Sequence, residues 1–281
     1  MNKTQVAIHA YNARKHALEG IYNAQSGHPG GSLSICDILS VLYFEVMNID
    51  PKDPKNPERD RFVLSKGHCA PALYGILSER GYFPTEDCAA LRRTDSYIQG
   101  HPDMKGVPGV DMSTGSLGQG ISAACGMALA AKKTDKDYRV YAILGDGELE
   151  EGQVWEAAMF AAHYKLDNLT AFIDNNGLQI DGNIDTVMSP NPIDEKFRAF
   201  GWNVIAIDAH DYDAVQNAVN AAKTVKGKPT MVLARSVKGK GVSFMENNPA
   251  WHGAAPKKEQ YELAISELDA KIAELKAGGT K

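Results

Sequence analysis

Residues Tyr138 to Gly182 read YRVYAILGDGELEEGQVWEAAMFAAHYKLDNLTAFIDNNGLQIDG, and this stretch decides the fold. Val140 to Leu144 is a short apolar run, as expected of a strand buried on both faces. It stops at Gly145-Asp146-Gly147. An acidic patch follows (Glu148, Glu150, Glu151), and then Gln153 to Tyr164 has helical spacing. Leu169 to Ile173 reads as a second buried strand, ending at Asp174-Asn175-Asn176-Gly177. Strand, loop, helix, strand, loop puts both loops at the same carboxyl edge of a parallel sheet. Neighbouring strands then deliver a carboxylate, Asp146, beside a carboxamide, Asn176. Both are hard oxygen ligands of the kind that hold Mg²⁺ or Ca²⁺, and Mg²⁺ commonly completes its shell with phosphate oxygens and water. Gly147 lets backbone approach such an anion with no side chain in the way.

Outward from this unit, the alternation of strands and helices continues. Gln5 to Ala24 and Leu33 to Met47 are expected helices, separated by a break at Gly27 to Gly31. Pro51 to Asp60 holds three prolines and six charges and reads as a surface loop. Phe62 to Leu64 is a short strand leading into Ser65-Lys66-Gly67-His68, and Ala70 to Glu79 is helix. Tyr82 to Val110 is irregular, long enough to suggest a functional loop. Leu117 to Lys132 is helical, although Gly118, Gly120 and Gly126 each cost about 1 kcal/mol against alanine there. Close packing against another element is the expected compensation. Asp194 to Phe200 and Tyr212 to Val225 are helices, and Trp202 to Ile207 and Thr230 to Ala234 are strands. Val237 to Ala255 is irregular. An amphipathic helix over 258–277, with Leu263, Leu268, Ile272 and Leu275 on one face, precedes a loose Gly278-Gly279-Thr280-Lys281. The sum is an α/β chain with a doubly wound, mostly parallel sheet and helices on both faces.

At 281 residues and 43% hydrophobic composition, the chain can bury a large core. A net charge of −5 with no long basic run argues against nucleic acid as the main partner. No apolar run reaches the length of a membrane span, and the first residues read as helix rather than signal peptide. The four cysteines form no Cys-x-x-Cys pair and read as free thiols of a reducing cytoplasm.

Gly145-Asp146-Gly147 followed by Asn175-Asn176 resembles the thiamine diphosphate motif. The wider sequence resembles the amino-terminal half of transketolase, in Ser26-Gly27-His28-Pro29-Gly30, Gly67-His68, Gly100-His101-Pro102, Thr114-Gly115-Ser116-Leu117-Gly118-Gln119-Gly120 and His252-Gly253-Ala254. These motifs come in the family's order, from about residue 20 to 256. The resemblance implies one thiamine-diphosphate-binding domain over 1–281. It implies Mg²⁺ (with Ca²⁺ or Mn²⁺ as substitutes) held by Asp146, Asn176 and the main-chain carbonyl of Leu178. Gly147 and His68 are then expected at the diphosphate, and Gly115, Ser116 and Leu117 at the aminopyrimidine. The family commonly has proline where this chain has Ser116. His28 and His252 are expected at the substrate, with His252 also reaching the cofactor, and His101 near the reacting centre.

Glu148 and Glu150 read as acidic groups favoured at a helix start by its dipole. Glu151, by resemblance, counts among the catalytic residues: it is expected at a subunit interface, contacting the partner's activating glutamate and linking two active sites. His9, His16, His163 and His210 read as structural or exposed. In the family's common form, a second domain supplies the glutamate that activates the aminopyrimidine. Ending at Lys281, the chain is expected to be the amino-terminal subunit of a split transketolase, paired with a separate carboxy-terminal subunit in a heterotetramer of two plus two. The activity implied is transfer of a two-carbon ketol unit between phosphorylated sugars. Other expectations are a component of a deoxyxylulose-phosphate synthase-like or ketoacid dehydrogenase-like enzyme, or a non-catalytic cofactor-binding protein. A Mg²⁺ phosphoryl-transfer enzyme ranks last, since no P-loop Gly-Lys-Ser/Thr is present.

Overall fold

A computed structural model describes residues 2–278. The quoted stretch forms β2 (Val140–Gly145), α6 (Gly152–His163) and β3 (Leu169–Asn175), as its pattern predicts. A two-residue antiparallel ladder, β4 (Leu178–Gln179) with β5 (Gly182–Asn183), and a short α7 (Ile184–Val187) follow β3. With β1 (Arg61–Leu64), β6 (Asn203–Asp208) and β7 (Thr230–Arg235), β2 and β3 make one five-stranded sheet in the order β1-β2-β3-β7-β6. Every pairing in it is parallel.

Why the apolar runs are continuous is visible in the packing. Along β2, Tyr141 and Ile143 face one core, while Val140, Ala142 and Leu144 face the other. β3 and β7 divide in the same way: Phe172 and Val232 lie on the first side, Ile173 and Met231 on the second. A half-solvated strand would alternate apolar with polar; these do not, because both faces are covered. The first core is built with α1 (Lys3–Ala24), α3 (Cys36–Val41), α4 (Ala70–Arg80) and α9 (Tyr212–Thr224). The second is built with α5 (Gln119–Lys133), α6 and α8 (Ile193–Ala199). Each fully buried Leu, Ile or Phe contributes about 1.5–3 kcal/mol.

Three sequence expectations are corrected. The second helix begins at Pro29, not Leu33: α2 (Pro29–Ser34) and α3 are separated at Ile35, and a π-helical turn, Leu42–Val46, ends the run. Pro29 occupies the first turn, where its missing N–H costs nothing. Leu117 lies outside α5, because Gly118 takes a left-handed conformation (φ 83°) and caps the helix instead of entering it. On α10 (Lys258–Gly278), Leu263 is 51% exposed, and Ala264, Leu268 and Ile272 form the buried stripe. Leu263 and Leu268 are five residues apart, too far around a helix to share a face. The end of the loose tail, residues 279–281, lies outside the described residues.

The compensation expected for the α5 glycines is present at two positions only. A Cβ on Gly120 would lie 2.6 Å from Ser65 Cα, and one on Gly118 would lie 2.8 Å from Glu151 Cβ. Gly126 faces open space. Among the described residues, no helix is long and apolar enough to cross a membrane.

Three of the four histidines read as structural or exposed prove to be fixed by partners or rings on the first face. His9 and His16 both contact the Glu79 carboxylate, at 2.7 and 3.1 Å, and His9 also stacks on Phe44. His210 joins a buried cluster in which Arg14 pairs with Asp37 and Tyr212 donates to the same carboxylate at 2.6 Å. His163 closes α6 against the Tyr164 ring.

Candidate active site

Four strand ends meet at the carboxyl edge of the sheet, where open α/β folds place their ligands. β1 supplies Ser65, Lys66 and His68. β2 supplies Asp146 to Glu148, β3 supplies Asp174 to Leu178, and β7 supplies Ser236 and Lys238. A cavity of about 250 Å³ opens there. Of the residues singled out from sequence, Asp146, Gly147, Glu148, Asn176, Leu178, Leu117, His68 and His252 line it.

Asp146 is 2% exposed. Its Oδ1 accepts from the Gly147 amide at 2.9 Å, and its Oδ2 accepts from the Gly177 amide at 2.6 Å. Burial, and the nearby Asp174 charge, push its carboxyl up to about 6. A carboxylate so placed favours a cation beside it. Asp174, directly behind, is fully buried and accepts from Ser34, Ser236, Lys66 and Asn176. Burial alone would raise its carboxyl, but Lys66 and these hydrogen bonds hold it below the usual range. The bond from Asn176 Nδ2 to Asp174, 3.0 Å, turns the Asn176 Oδ1 away from the sheet, where it accepts from the Leu178 amide at 3.1 Å. Asp174 therefore decides which end of that carboxamide is offered as an acceptor.

Opposite this acidic corner stands Lys238, which sequence reasoning missed. It is buried, and its Nζ donates to the Leu178 carbonyl and to His252 Nδ1, each at 2.9 Å. Both acceptors are uncharged. Burial, then the Lys66 charge, lower its ammonium to about 8. Accepting on Nδ1 fixes the His252 proton on Nε2. The Leu178 carbonyl, expected as a metal ligand, thus already takes one hydrogen bond and keeps one lone pair.

His28, His68 and His252 form a triangle of rings, with centroids 5.2, 5.4 and 5.5 Å apart. Burial lowers all three: His28 to about 4, with the Arg92 charge as the next cause, His252 to about 3, and His68 well below its ordinary value. The rings are neutral at pH 7. His28 Nδ1 is buried with no hydrogen-bond partner among the described residues, an atom left for a ligand or water to satisfy. Gly31 lets this group close up, since a Cβ there would lie 2.8 Å from Cys69 Sγ and 3.5 Å from His68 Nε2.

His101 is not part of the triangle. With Gly115 and Ser116 it lines a neighbouring cavity of about 500 Å³. Its ring lies 3.2 Å from where a Gly115 Cβ would be, and its carbonyl accepts from Tyr74 at 2.8 Å. Residues 115–117 therefore form a wall between the two cavities. Glu151 is exposed and lines neither of them. Glu148 departs from its helix-dipole reading: it is buried and accepts hydrogen bonds from three elements. Lys66 and Lys238 had a sequence signal, each preceding a glycine in a predicted loop (Lys66-Gly67, Lys238-Gly239).

A family model described as transketolase, thiamine diphosphate binding domain, matches residues 5–272. A 6-deoxy-6-sulfo-D-fructose transketolase subunit of Clostridium sp. (strain MSTE9) is 50% identical over 256 residues, 91% of this chain and 93% of that protein. An apulose-4-phosphate transketolase subunit of Phocaeicola vulgatus is 42% identical, over 93% of each. Among solved structures, a transketolase R525L mutant from Pichia stipitis superposes with a TM-score of 0.87 at 33% identity, over 99% of this chain and 44% of that one. Transketolase from Campylobacter jejuni gives 0.85 at 31%, over 99% and 48%. The chain thus spans nearly all of the two subunit relatives and less than half of these two solved transketolases.

Proposed function

Given that the chain belongs to the transketolase, thiamine diphosphate-binding family, we propose that it is the diphosphate-holding subunit of a two-chain transketolase moving a two-carbon ketol unit between phosphorylated sugars. One observation carries this reading. A buried carboxylate that favours a cation, Asp146, lines the same cavity as a buried ammonium, Lys238, that pairs with no carboxylate among the described residues. A metal diphosphate satisfies both at once. A cation alone would leave Lys238 unmatched, and an anion alone would face Asp146.

In this reading Asp146, the Asn176 Oδ1 and the Leu178 carbonyl hold Mg²⁺, with Ca²⁺ or Mn²⁺ able to replace it. Gly147, His68 and Lys238 receive the diphosphate, and Gly115, Ser116 and Leu117 form the wall against the aminopyrimidine. Thiamine diphosphate, when bound, supplies a ring carbon that stabilises a carbanion. The chain's own work is then to orient the sugar and move protons. His28, neutral at pH 7, has an unpartnered Nδ1 able to exchange a proton with a sugar hydroxyl or carbonyl, and His252, with Nδ1 taken by Lys238, offers its Nε2 N–H as a donor to a sugar oxygen. His101 approaches the reacting centre from the far side of the wall.

The exposed position of Glu151 supports its place at a subunit interface. The subunit relatives are covered almost end to end, which supports a separate partner chain that brings the activating glutamate, two of each assembling together. Those two relatives are named for a sulfofructose and a sugar phosphate, which supports a sugar carrying an anionic group as substrate here. Four buried free thiols support a reducing, cytoplasmic setting.

The test separates chemistry from cofactor binding. In the two-subunit enzyme, His28→Ala is expected to lower kcat by about a hundredfold while thiamine diphosphate affinity stays within about threefold, since His28 meets the cofactor-side rings of His68 and His252 only edge-on and makes no hydrogen bond to them. His252→Ala should lower both, because His252 also holds Lys238. Normal ketol transfer by the His28→Ala enzyme would remove His28 from the mechanism and count against the sugar-handling reading.

A further inference from the structure

Glu148 stands where the two halves of the site meet. It is 3% exposed. Its Oε2 accepts from the Gly145 amide at 3.0 Å, at the end of β2 and next to Asp146. Its Oε1 accepts from the Gly118 amide at 2.9 Å and from the Ser65 hydroxyl. Gly118 closes the Gly115–Leu117 wall, and Ser65 ends β1 beside Lys66. One buried carboxylate therefore ties the wall, the metal-side turn and the first strand together.

Packing and hydrogen bonding act together on that wall. Gly120 presses on Ser65 and fixes how closely α5 approaches the sheet. Gly118 packs against Glu151 in a left-handed conformation that glycine adopts without strain, and its amide is held by the Glu148 carboxylate. An ionised carboxylate accepts on both oxygens at once, whereas glutamine must turn an NH₂ toward one of the donors.

We propose that Glu148 is a positioning residue of the cofactor site, whose carboxylate holds the Gly115–Leu117 wall at a fixed distance from the Gly145–Gly147 turn. The proposal rests on the thiamine diphosphate reading above. In that reading the wall meets the aminopyrimidine and the turn meets the diphosphate, so Glu148, which lines the same cavity between them, sets the spacing between the two ends of the cofactor. Loss of that spacing harms a ligand that spans both ends and spares one that occupies only the diphosphate end. A purely structural residue would not make this distinction.

The experiment titrates the two-subunit complex with thiamine diphosphate and, separately, with magnesium pyrophosphate. In Glu148→Gln the affinity for thiamine diphosphate is expected to fall by about ten- to a hundredfold, as for a buried donor left unmatched. The affinity for magnesium pyrophosphate should stay within about threefold, and hydrogen exchange at the Gly118 amide should quicken. Equal losses for both ligands, or unchanged thiamine diphosphate affinity, would overturn the proposal. Should Glu148→Gln fail to fold, Ser65→Ala removes one donor without orphaning another. Its expected effect is a smaller loss confined to thiamine diphosphate, and an equal loss for pyrophosphate overturns the proposal there too. A wild-type complex that binds magnesium pyrophosphate but not thiamine diphosphate overturns the cofactor reading instead.

Discussion

Asp146→Ala is expected to weaken Mg²⁺-dependent binding of thiamine diphosphate by about a hundredfold or more, since it deletes the only charged ligand of the expected metal set. The fold should survive. The Asp146 carboxyl is held up near 6 by burial and by Asp174, so its charge is poorly stabilised when no cation is present. Removing it costs the hydrogen bonds from the Gly147 and Gly177 amides and the longer one from Asn175 Nδ2, but all three residues are only half-buried, and water can replace the lost acceptor. Relief of the buried charge offsets much of the remainder, and the melting temperature should move by only about 3 °C. Calorimetric titration with Mg²⁺, and again with EDTA, checks this. Wild type should lose affinity on chelation and the variant should show little further loss. Unchanged affinity in the variant would place the metal elsewhere.

Lys238→Met is expected to produce the second large effect, in the opposite sense for stability. The ammonium is buried, close to Lys66, and among the described residues it bonds to a carbonyl and an imidazole. Its attraction for a bound diphosphate is worth about 1.5–3 kcal/mol, as for other charge-assisted hydrogen bonds. Affinity for thiamine diphosphate should therefore fall by roughly ten- to a hundredfold. Methionine keeps the length of the side chain and removes an unneutralised buried charge. The ligand-free chain should consequently melt no lower than wild type, and a scan without cofactor should show it. A variant that is less stable yet binds the cofactor normally would make Lys238 a structural residue.

How much of this was legible in the sequence depends on how far apart the interacting groups lie. β2 and β3 could be read directly, because burial on both faces leaves an uninterrupted apolar run, and Gly145-Asp146-Gly147 and Asn175-Asn176-Gly177 end those runs abruptly. The start of α5 was obscured because helical spacing continues through Leu117 and Gly118 while the backbone at Gly118 does not. The break at Ile35 left no trace, since α2 and α3 are buried on all sides and offer no polar stripe to mark a boundary. On α10, alanine took a core slot that the sequence reading gave to Leu263.

The candidate site shows the same division. Asp146, Asn176, His28, His68 and His252 carried local signals, next to glycine, proline or a strand end. Lys66, Asp174, Glu148 and Lys238 are buried charges whose meaning lies in distant partners. Lys66 and Asp174 are 108 positions apart, and Glu148 and Ser65 are 83. Sequence spacing does not encode such pairs, and an isolated lysine or glutamate reads by default as a surface residue.

On the function proposed above, this chain supplies the metal-diphosphate half of a transketolase and depends on another chain for the other half. The most direct measurement is ketol transfer by the purified chain, by the carboxy-terminal partner chain, and by the two mixed in increasing ratio, all with thiamine diphosphate and Mg²⁺. Neither chain alone should transfer, and activity should rise in proportion to complex formed, reaching a plateau at one-to-one. Robust ketol transfer by the verified-pure 281-residue chain alone would contradict the account.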